Sequence, residues 1–408
     1  MTRALLAVLA AAMMVTVTVQ PAASSPARAG DEAIDYHEWA TPGPFAPAGV
    51  REYSGRDYEQ SQWTSPFHSP GFDATELIAS WNAHTPSGTW IQVEAQGRTA
   101  AGEQTAWYVM GRWAAGDGDI ERTSVAGQDD AHAQVSVDTL VMKPGALLRS
   151  YRLRVSLYRA AGSTAHATVT SVGAMASDVP DRFEVPVSKP GRAAGIELPV
   201  PAYAQNIHKG HFPEYGGGGE SWCSPTSTEM VVEYWGRRPR AEDMGWIPAD
   251  YPDRTVDQAA RQTYDHAYEG TGNWPFNTAY AATFGLHGHV TRLHSLTELE
   301  DWIARGVPVI TSQSFRADEL DGAGYGTAGH IMVVVGFTAD GDVIANDPAA
   351  NSNDNVRTVY RRDQFENIWQ RTKRYTDDGS VSSGPGGVVY LITPENHGEQ
   401  DSRDRAYW

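Results

Sequence analysis

The chain has 408 residues, 41% of them hydrophobic, with 13 Trp, 18 Tyr and 10 Phe, which is enough apolar and aromatic mass for two cores. Its formal net charge of −18 contains no basic block or stripe, which argues against nucleic acid or an anionic membrane surface as the partner. The single cysteine excludes a disulfide framework within the chain.

Residues 1–29 read as a secretory signal peptide. Met1-Thr2-Arg3 is a short positive start, Ala4 to Val19 is apolar or small, and Ala27-Arg28-Ala29 offers a cleavage site before Gly30. The expectation is a secreted, extracellular protein with no integral membrane segment after cleavage, since no later stretch is long and apolar enough to cross a bilayer.

Residues 30–70 are polar, rich in Pro and Gly and without period, and are expected to form an extended lead-in. From 71 to 177 short alternating runs follow: Gly88 to Glu94, Thr105 to Met110, Ala133 to Val137, Leu148 to Tyr158 and His166 to Val172. Such strands, bounded by turn residues and uninterrupted by a helical pattern, predict an all-β sandwich accessory domain. Trp81, Trp90, Trp107 and Trp113 lie in this region. At strand positions they are expected chiefly as core, with sugar stacking, and so a cell-wall or carbohydrate contact, as the alternative.

Residues 178–197 contain Pro180, Pro186 and Pro190 and read as an interdomain linker. Beyond it, helices are predicted at Thr226 to Tyr234 (stopped by Gly236), Val256 to His266, Thr278 to Phe284 and Leu296 to Ala304, the last capped by Ser295 and ended by Gly306. Strands follow at Pro308 to Ser312, His330 to Phe337 and Asp342 to Ala345, so that 198–393 forms an α+β domain and 394–408 a tail.

The chemistry starts at the lone thiol. A secreted protein normally pairs its cysteines, so an unpaired one is a hazard unless the sulfur is used. Cys223 follows four glycines, Gly216 to Gly219, and precedes Ser224-Pro225, where Ser224 suits an N-cap and Pro225 a first helical turn. A helix N-terminus favours a thiolate over a thiol, which is the nucleophilic form. Such a nucleophile needs a proton acceptor and donor. His330 opens the apolar strand His330-Ile331-Met332-Val333-Val334-Val335 behind the Gly-rich stretch Gly324 to Gly329, where the strand holds it rigidly and the glycines leave room for a substrate. A hairpin to the next strand brings either Asn346 or Asp347 level with it, to orient the imidazole.

Three segments resemble the C39-like, papain-fold cysteine peptidases: Pro199 to Gln205, Trp222-Cys223-Ser224-Pro225-Thr226-Ser227, and Gly329-His330 with Asp347-Pro348. The resemblance covers about residues 198–393. It implies a Cys223–His330–Asp347 triad, an oxyanion-hole donor at Gln205, and a peptide or protein substrate cleaved through a thioester. One departure is Ser224, where the family commonly has glycine. A cell-wall amidase, a transglutaminase-like acyltransferase or an esterase would use the same residues, and a non-catalytic binding protein could keep the fold. No cofactor or metal is expected. His287, His289 and His294 lack a completing ligand, and His208 and His211 read as structural residues near the Gln205 loop. Glu229 and Glu233, one helical turn apart, are expected on a solvated face.

Overall fold

A computed structural model describes residues 32–394. The expected signal peptide, and all but the first residue of the expected tail, lie outside the described residues. The first ten strands are β1 (Ala33–Ala40), β2 (Ala46–Tyr53), β3 (Arg56–Thr64), β4 (Glu76–His84), β5 (Thr89–Thr99), β6 (Tyr108–Trp113), β7 (Ala133–Ser136), β8 (Thr139–Met142), β9 (Leu148–Ala160) and β10 (Thr168–Asp178). They form two five-stranded antiparallel sheets, in the orders β1-β10-β4-β8-β7 and β2-β3-β9-β5-β6. Alternate residues from both sheets, among them Leu77, Ala79, Ile91, Val93, Leu153, Val155, Val172 and Ala174, meet in one apolar core.

Residues 30–70 differ from the expected lead-in, because they supply β1 to the first sheet and β2 and β3 to the second. Their pairing is invisible to a periodicity argument for a physical reason. Seven of the eight β1 residues are half-buried, and β2 is an exposed edge strand with a register shift between Pro47 and Gly49. Trp81, Trp90 and Trp113 are wholly buried. Trp107 is half-buried, and the Arg154 guanidinium lies 4.2 Å from its ring centroid.

The second half contains α1 (Cys223–Tyr234), α2 (Arg254–Thr263), α3 (Trp274–Ala282), β11 (Leu286–Arg292), α4 (Leu296–Ala304), β12 (Val309–Phe315), β13 (Thr327–Phe337), β14 (Val343–Asn346), β15 (Arg357–Tyr360), α5 (Arg362–Gln370), the short pair β16 (Lys373–Tyr375) and β17 (Val381–Ser383), and β18 (Val388–Pro394). Six of its strands form an antiparallel sheet ordered β11-β18-β12-β13-β14-β15. The chain is thus mostly antiparallel sheet with few helices. The signals at α4 and at the end of α1 act as read, with Ser295 accepting from the Glu298 N–H and Gly236 and Gly306 ending their helices at φ +70 and +82, whereas α2 and α3 start two and four residues before their expected positions. No helix among the described residues is long and apolar enough to cross a membrane.

The segment 178–197 is strapped to the second half along its length. Arg182 donates to Gln370 O, Val185 N–H to Asn367 Oδ1, Ser188 N–H to Glu366 Oε2 and Gly191 N–H to Glu300 Oε2, at 2.6 to 3.1 Å. The two halves also share apolar interior. Phe276 of α3 inserts between Trp81 and Trp113, with ring centroids 6.0 and 5.4 Å away. Along β11, Gly288 and Val290 donate their N–H groups to Asn82 Oδ1 and Ser80 Oγ of β4.

Candidate active site

Cys223 is the first residue of α1, two residues earlier than a Ser224 cap would allow. Ser224 lies inside the helix, fully buried, and its hydroxyl pairs with the Tyr390 hydroxyl of β18 at 2.9 Å. Pro225 still falls in the first turn, where its missing N–H costs no helical bond. Ser227 Oγ donates to Ile331 O, fixing α1 against the strand that carries the histidine.

The four glycines serve the chain's own backbone. Gly216, Gly217 and Gly218 adopt φ of +72, +96 and +99, and a Cβ on Gly219 would lie 2.4 Å from the His208 carbonyl carbon and 2.6 Å from Gln205 O. This close approach brings the Gln205 turn against the nucleophile segment. Gln205 is buried, its Nε2 donates to Glu220 O at 2.7 Å, and its backbone N–H donates to Pro348 O at 2.8 Å. The Gln205 segment is therefore tied both to the residues before Cys223 and to the turn after Asp347.

His208 and His211 bond through Nδ1 to the two oxygens of fully buried Asp257, at 3.0 and 2.9 Å. The three side chains are the right types to ligate a metal. Here each imidazole already engages one carboxylate oxygen, so the trio acts as a clamp between the Gln205 turn and α2. His287 bonds to Glu38 and His294 to Glu298, so these do not converge with His289 on one point.

His330 and Asp347 come together across β13 and the exit of β14. His330 Nε2 donates to Asp347 Oδ1 at 2.8 Å, with both side chains almost wholly buried. The ring's other nitrogen is not taken by Asp347, and Cys223 and His330 line the same cleft. Asn346, the alternative orienter, faces the opposite side of its strand. Its Nδ2 donates to Pro201 O, and its Oδ1 accepts from Arg357 Nε.

Asp347 is unusually well furnished. Oδ1 also accepts from the Ala349 N–H at 2.9 Å, and Oδ2 accepts from the hydroxyls of Tyr325 at 2.8 Å and Tyr360 at 2.7 Å. Burial opposes the charge, but the neighbouring imidazolium and these donors outweigh it and hold the carboxyl down to about 2. Burial likewise opposes the charge on His330, and the Asp347 carboxylate, helped by Cys223, overcomes it and lifts the imidazole to about 10. Tyr325 and Tyr360 are pushed up by burial and by the same carboxylate, so both remain protonated donors.

Neither tyrosine carries a spacing signal in the sequence. Tyr325 lies within the glycine-rich approach, and Tyr360 ends β15, a strand not among those expected from the sequence. Glu229 departs from its expected solvated face. It is fully buried, bonds the Tyr280 hydroxyl at 2.8 Å, and is pushed well up, first by burial, so that it is held as the neutral acid.

Cys223 and His330 open onto a cleft of about 1000 Å3, also lined by Gln205, Glu220, Tyr268, Trp274, Ser312 and Tyr325. A thiol at a helix start, an imidazole on the same cleft and a buried carboxylate behind that imidazole are the groups that nucleophilic acyl chemistry requires. Residues 197–377 match the family model described as Peptidase_C39 like family, and residues 40–177 match that of the Peptidase C39 N-terminal domain. Together the matches span well over half of the chain, which belongs to the C39-like peptidase family.

No curated protein matches the chain. Among solved structures it is similar to a Bacillus anthracis protein assigned, but not established, as a C39-like peptidase. That likeness has 16% identity over 48% of this chain and 97% of the other, with a TM-score of 0.29. A second likeness is to carbohydrate-binding modules of the β-sandwich superfamily, at 10% identity over 36% of this chain and 56% of the other, with a TM-score of 0.15.

Proposed function

We propose that the protein is a secreted cysteine peptidase that cleaves peptide bonds through Cys223, His330 and Asp347, on a papain-like α+β arrangement with an amino-terminal β-sandwich. The observation that carries this reading is the placement of His330, with Nε2 on Asp347 and the ring on the same cleft as Cys223 at the start of α1. In the reacting state His330 has taken the proton of Cys223. The Cys223 Sγ attacks the carbonyl carbon of the scissile bond and forms a C–S bond, while the carbonyl oxygen takes the charge.

The Cys223 N–H, at the open end of α1, and the second N–H of Gln205 Nε2 are the donors on hand for that oxygen. His330 then gives its proton to the leaving amine, and the thioester remains on Cys223. In the second half His330 takes a proton from water, the hydroxide attacks the thioester, and the acid leaves as the thiolate re-forms. No step calls on a cofactor.

Acyl transfer to an amine or cleavage of a cell-wall amide would need the same groups, and family membership favours peptide hydrolysis among them. Secretion is supported by the pattern of residues 1–29. The test is incubation of the purified protein with a peptide library and with peptidoglycan, followed by mass spectrometry for new amino termini. Cys223→Ala must abolish every product, and products that persist in that variant contradict the proposal.

A further inference from the structure

One wall of the cleft, Tyr268 to Gly272 with Trp274, is held from the other half of the chain. Asp265 organises its start by accepting from the N–H groups of Ala267 and Tyr268 on Oδ1 and from Asn273 Nδ2 on Oδ2. The same Oδ1 accepts the Ser124 N–H, and the His266 N–H donates to Arg122 O at 3.0 Å. The Arg122 guanidinium, almost wholly buried, reaches across to Arg261 O and Gln262 Oε1.

The far end of the wall is fixed by Asp138, from the turn between β7 and β8. Its Oδ2 accepts the Trp274 N–H at 2.8 Å, an otherwise unpaired donor type at the first residue of α3, and Thr139 Oγ1 supports Oδ1 at 3.0 Å. Asp138 is itself buried. Between these anchors the loop turns two aromatic residues to the cleft: Tyr268, 48% exposed, and half-buried Trp274. Tyr268 and Cys223 line the same cleft. The acids lining the cleft, Glu220 and Glu269, oppose a negatively charged ligand group.

We propose that Tyr268 and Trp274 form a subsite for an apolar, above all aromatic, substrate side chain beside the scissile bond, and that Asp138 of the amino-terminal half is its positioning residue. This deepens the peptidase proposal and rests on Cys223 as the nucleophile. On this account the amino-terminal sheets complete the substrate cleft.

The test uses the full-length protein and peptidyl chloromethyl ketones carrying Phe, Leu, Gly or Glu next to the ketone, with iodoacetamide as the small reference. In each case the thiolate displaces halide and a C–S bond forms. The Phe reagent is expected to inactivate Cys223 at least about 10-fold more efficiently than the Gly and Glu reagents, relative to iodoacetamide. Tyr268→Ala should erase that preference through a weaker inhibition constant. Asp138→Ala should do the same, whereas Asp138→Asn, which keeps an acceptor for the Trp274 N–H, should restore it.

Four ketones within about 2-fold of one another, with fast iodoacetamide labelling, overturn the subsite, as does a preference unchanged in Tyr268→Ala. An unchanged preference in Asp138→Ala overturns the positioning role. Iodoacetamide labelling no faster than a free thiol's overturns the nucleophile reading itself, and the subsite with it.

Discussion

His330 and Asp347 are joined by a 2.8 Å hydrogen bond between Nε2 and Oδ1, made across the exit of a hairpin and buried from water on both sides. The pair leaves one imidazole nitrogen for Cys223 and fixes the plane of the ring. Tyr325 and Tyr360 occupy the second carboxylate oxygen, so Asp347 cannot turn away from the histidine without losing two further donors.

Asp347→Ala removes both the charge and the orienter, and kcat is expected to fall by about 100- to 10,000-fold. Asp347→Asn keeps an acceptor and loses the charge, so it should retain more activity while its alkaline limb shifts to lower pH. Steady-state kinetics across pH for both variants separates orientation from charge.

The pH dependence follows from the directions of the two shifts. His330 is raised from 6.5 to about 10, so its contribution to stability is complete below 6.5 and is lost as pH rises through about 10. Asp347 is lowered from 3.8 to about 2, so its contribution is complete above 3.8 and is lost as pH falls through about 2. The ion pair is one interaction seen from both partners. Chemical denaturation at several pH values should therefore show this contribution intact between 3.8 and 6.5, and peptidase activity should fall as pH approaches about 10.

Tyr360→Phe deletes one of the two phenol donors to Asp347 without changing shape. A hydrogen bond to a charged group is worth about 1.5 to 3 kcal/mol, and urea unfolding should report a loss in that range. The alkaline limb of activity is the second readout, because a carboxylate with one fewer donor interacts differently with its histidine.

Gln205→Ala should lower kcat by about 100- to 1000-fold and leave KM nearly unchanged if Gln205 donates to the oxyanion. A change confined to KM would make Gln205 a wall of the cleft and remove it from the oxyanion site.

Phe276→Ala opens a cavity between Trp81 and Trp113 and should cost about 3 to 5 kcal/mol. Because Phe276 belongs to α3 and the tryptophans to the two sheets, tryptophan fluorescence and helical circular dichroism should shift to lower denaturant together.

Much of the site was legible in the chain because its residues are rare or punctuated. Cys223 has no competitor, and His330 stands at the mouth of an apolar strand. Gln205 became visible only through resemblance. The choice between Asn346 and Asp347 was out of reach because neighbouring strand residues face opposite sides and register alone decides between them. Tyr325 and Tyr360 converge on Asp347 from separate segments, with no pattern in either. Ser224 was a reasonable cap by type, yet the helix starts at Cys223 and the hydroxyl is spent on Tyr390. Glu229 was hidden by its charge, since helical spacing cannot reveal that Tyr280 covers it.

The fold shows the same division. β5 and β9 announce themselves by alternation, because one face of each is core. β1 to β3 do not, because half-buried and edge strands carry little periodic signal. The contact between the halves was unreadable for a similar reason: Arg122 and Asp138 engage backbone groups of residues 261–274, Ser124 offers its own backbone N–H to the Asp265 carboxylate, and backbone partners leave no mark on composition.

The central claim is that His330 holds Cys223 as a reactive thiolate, and the most direct measurement is the rate of Cys223 alkylation by iodoacetamide between pH 5 and 9, in the native protein and in His330→Ala. The account predicts fast labelling of the native protein at mildly acidic pH, where an ordinary thiol with a pKa of about 8.5 is nearly inert, and a marked slowing in the variant. Native labelling that follows the rate and pH profile of a free peptide thiol would contradict it.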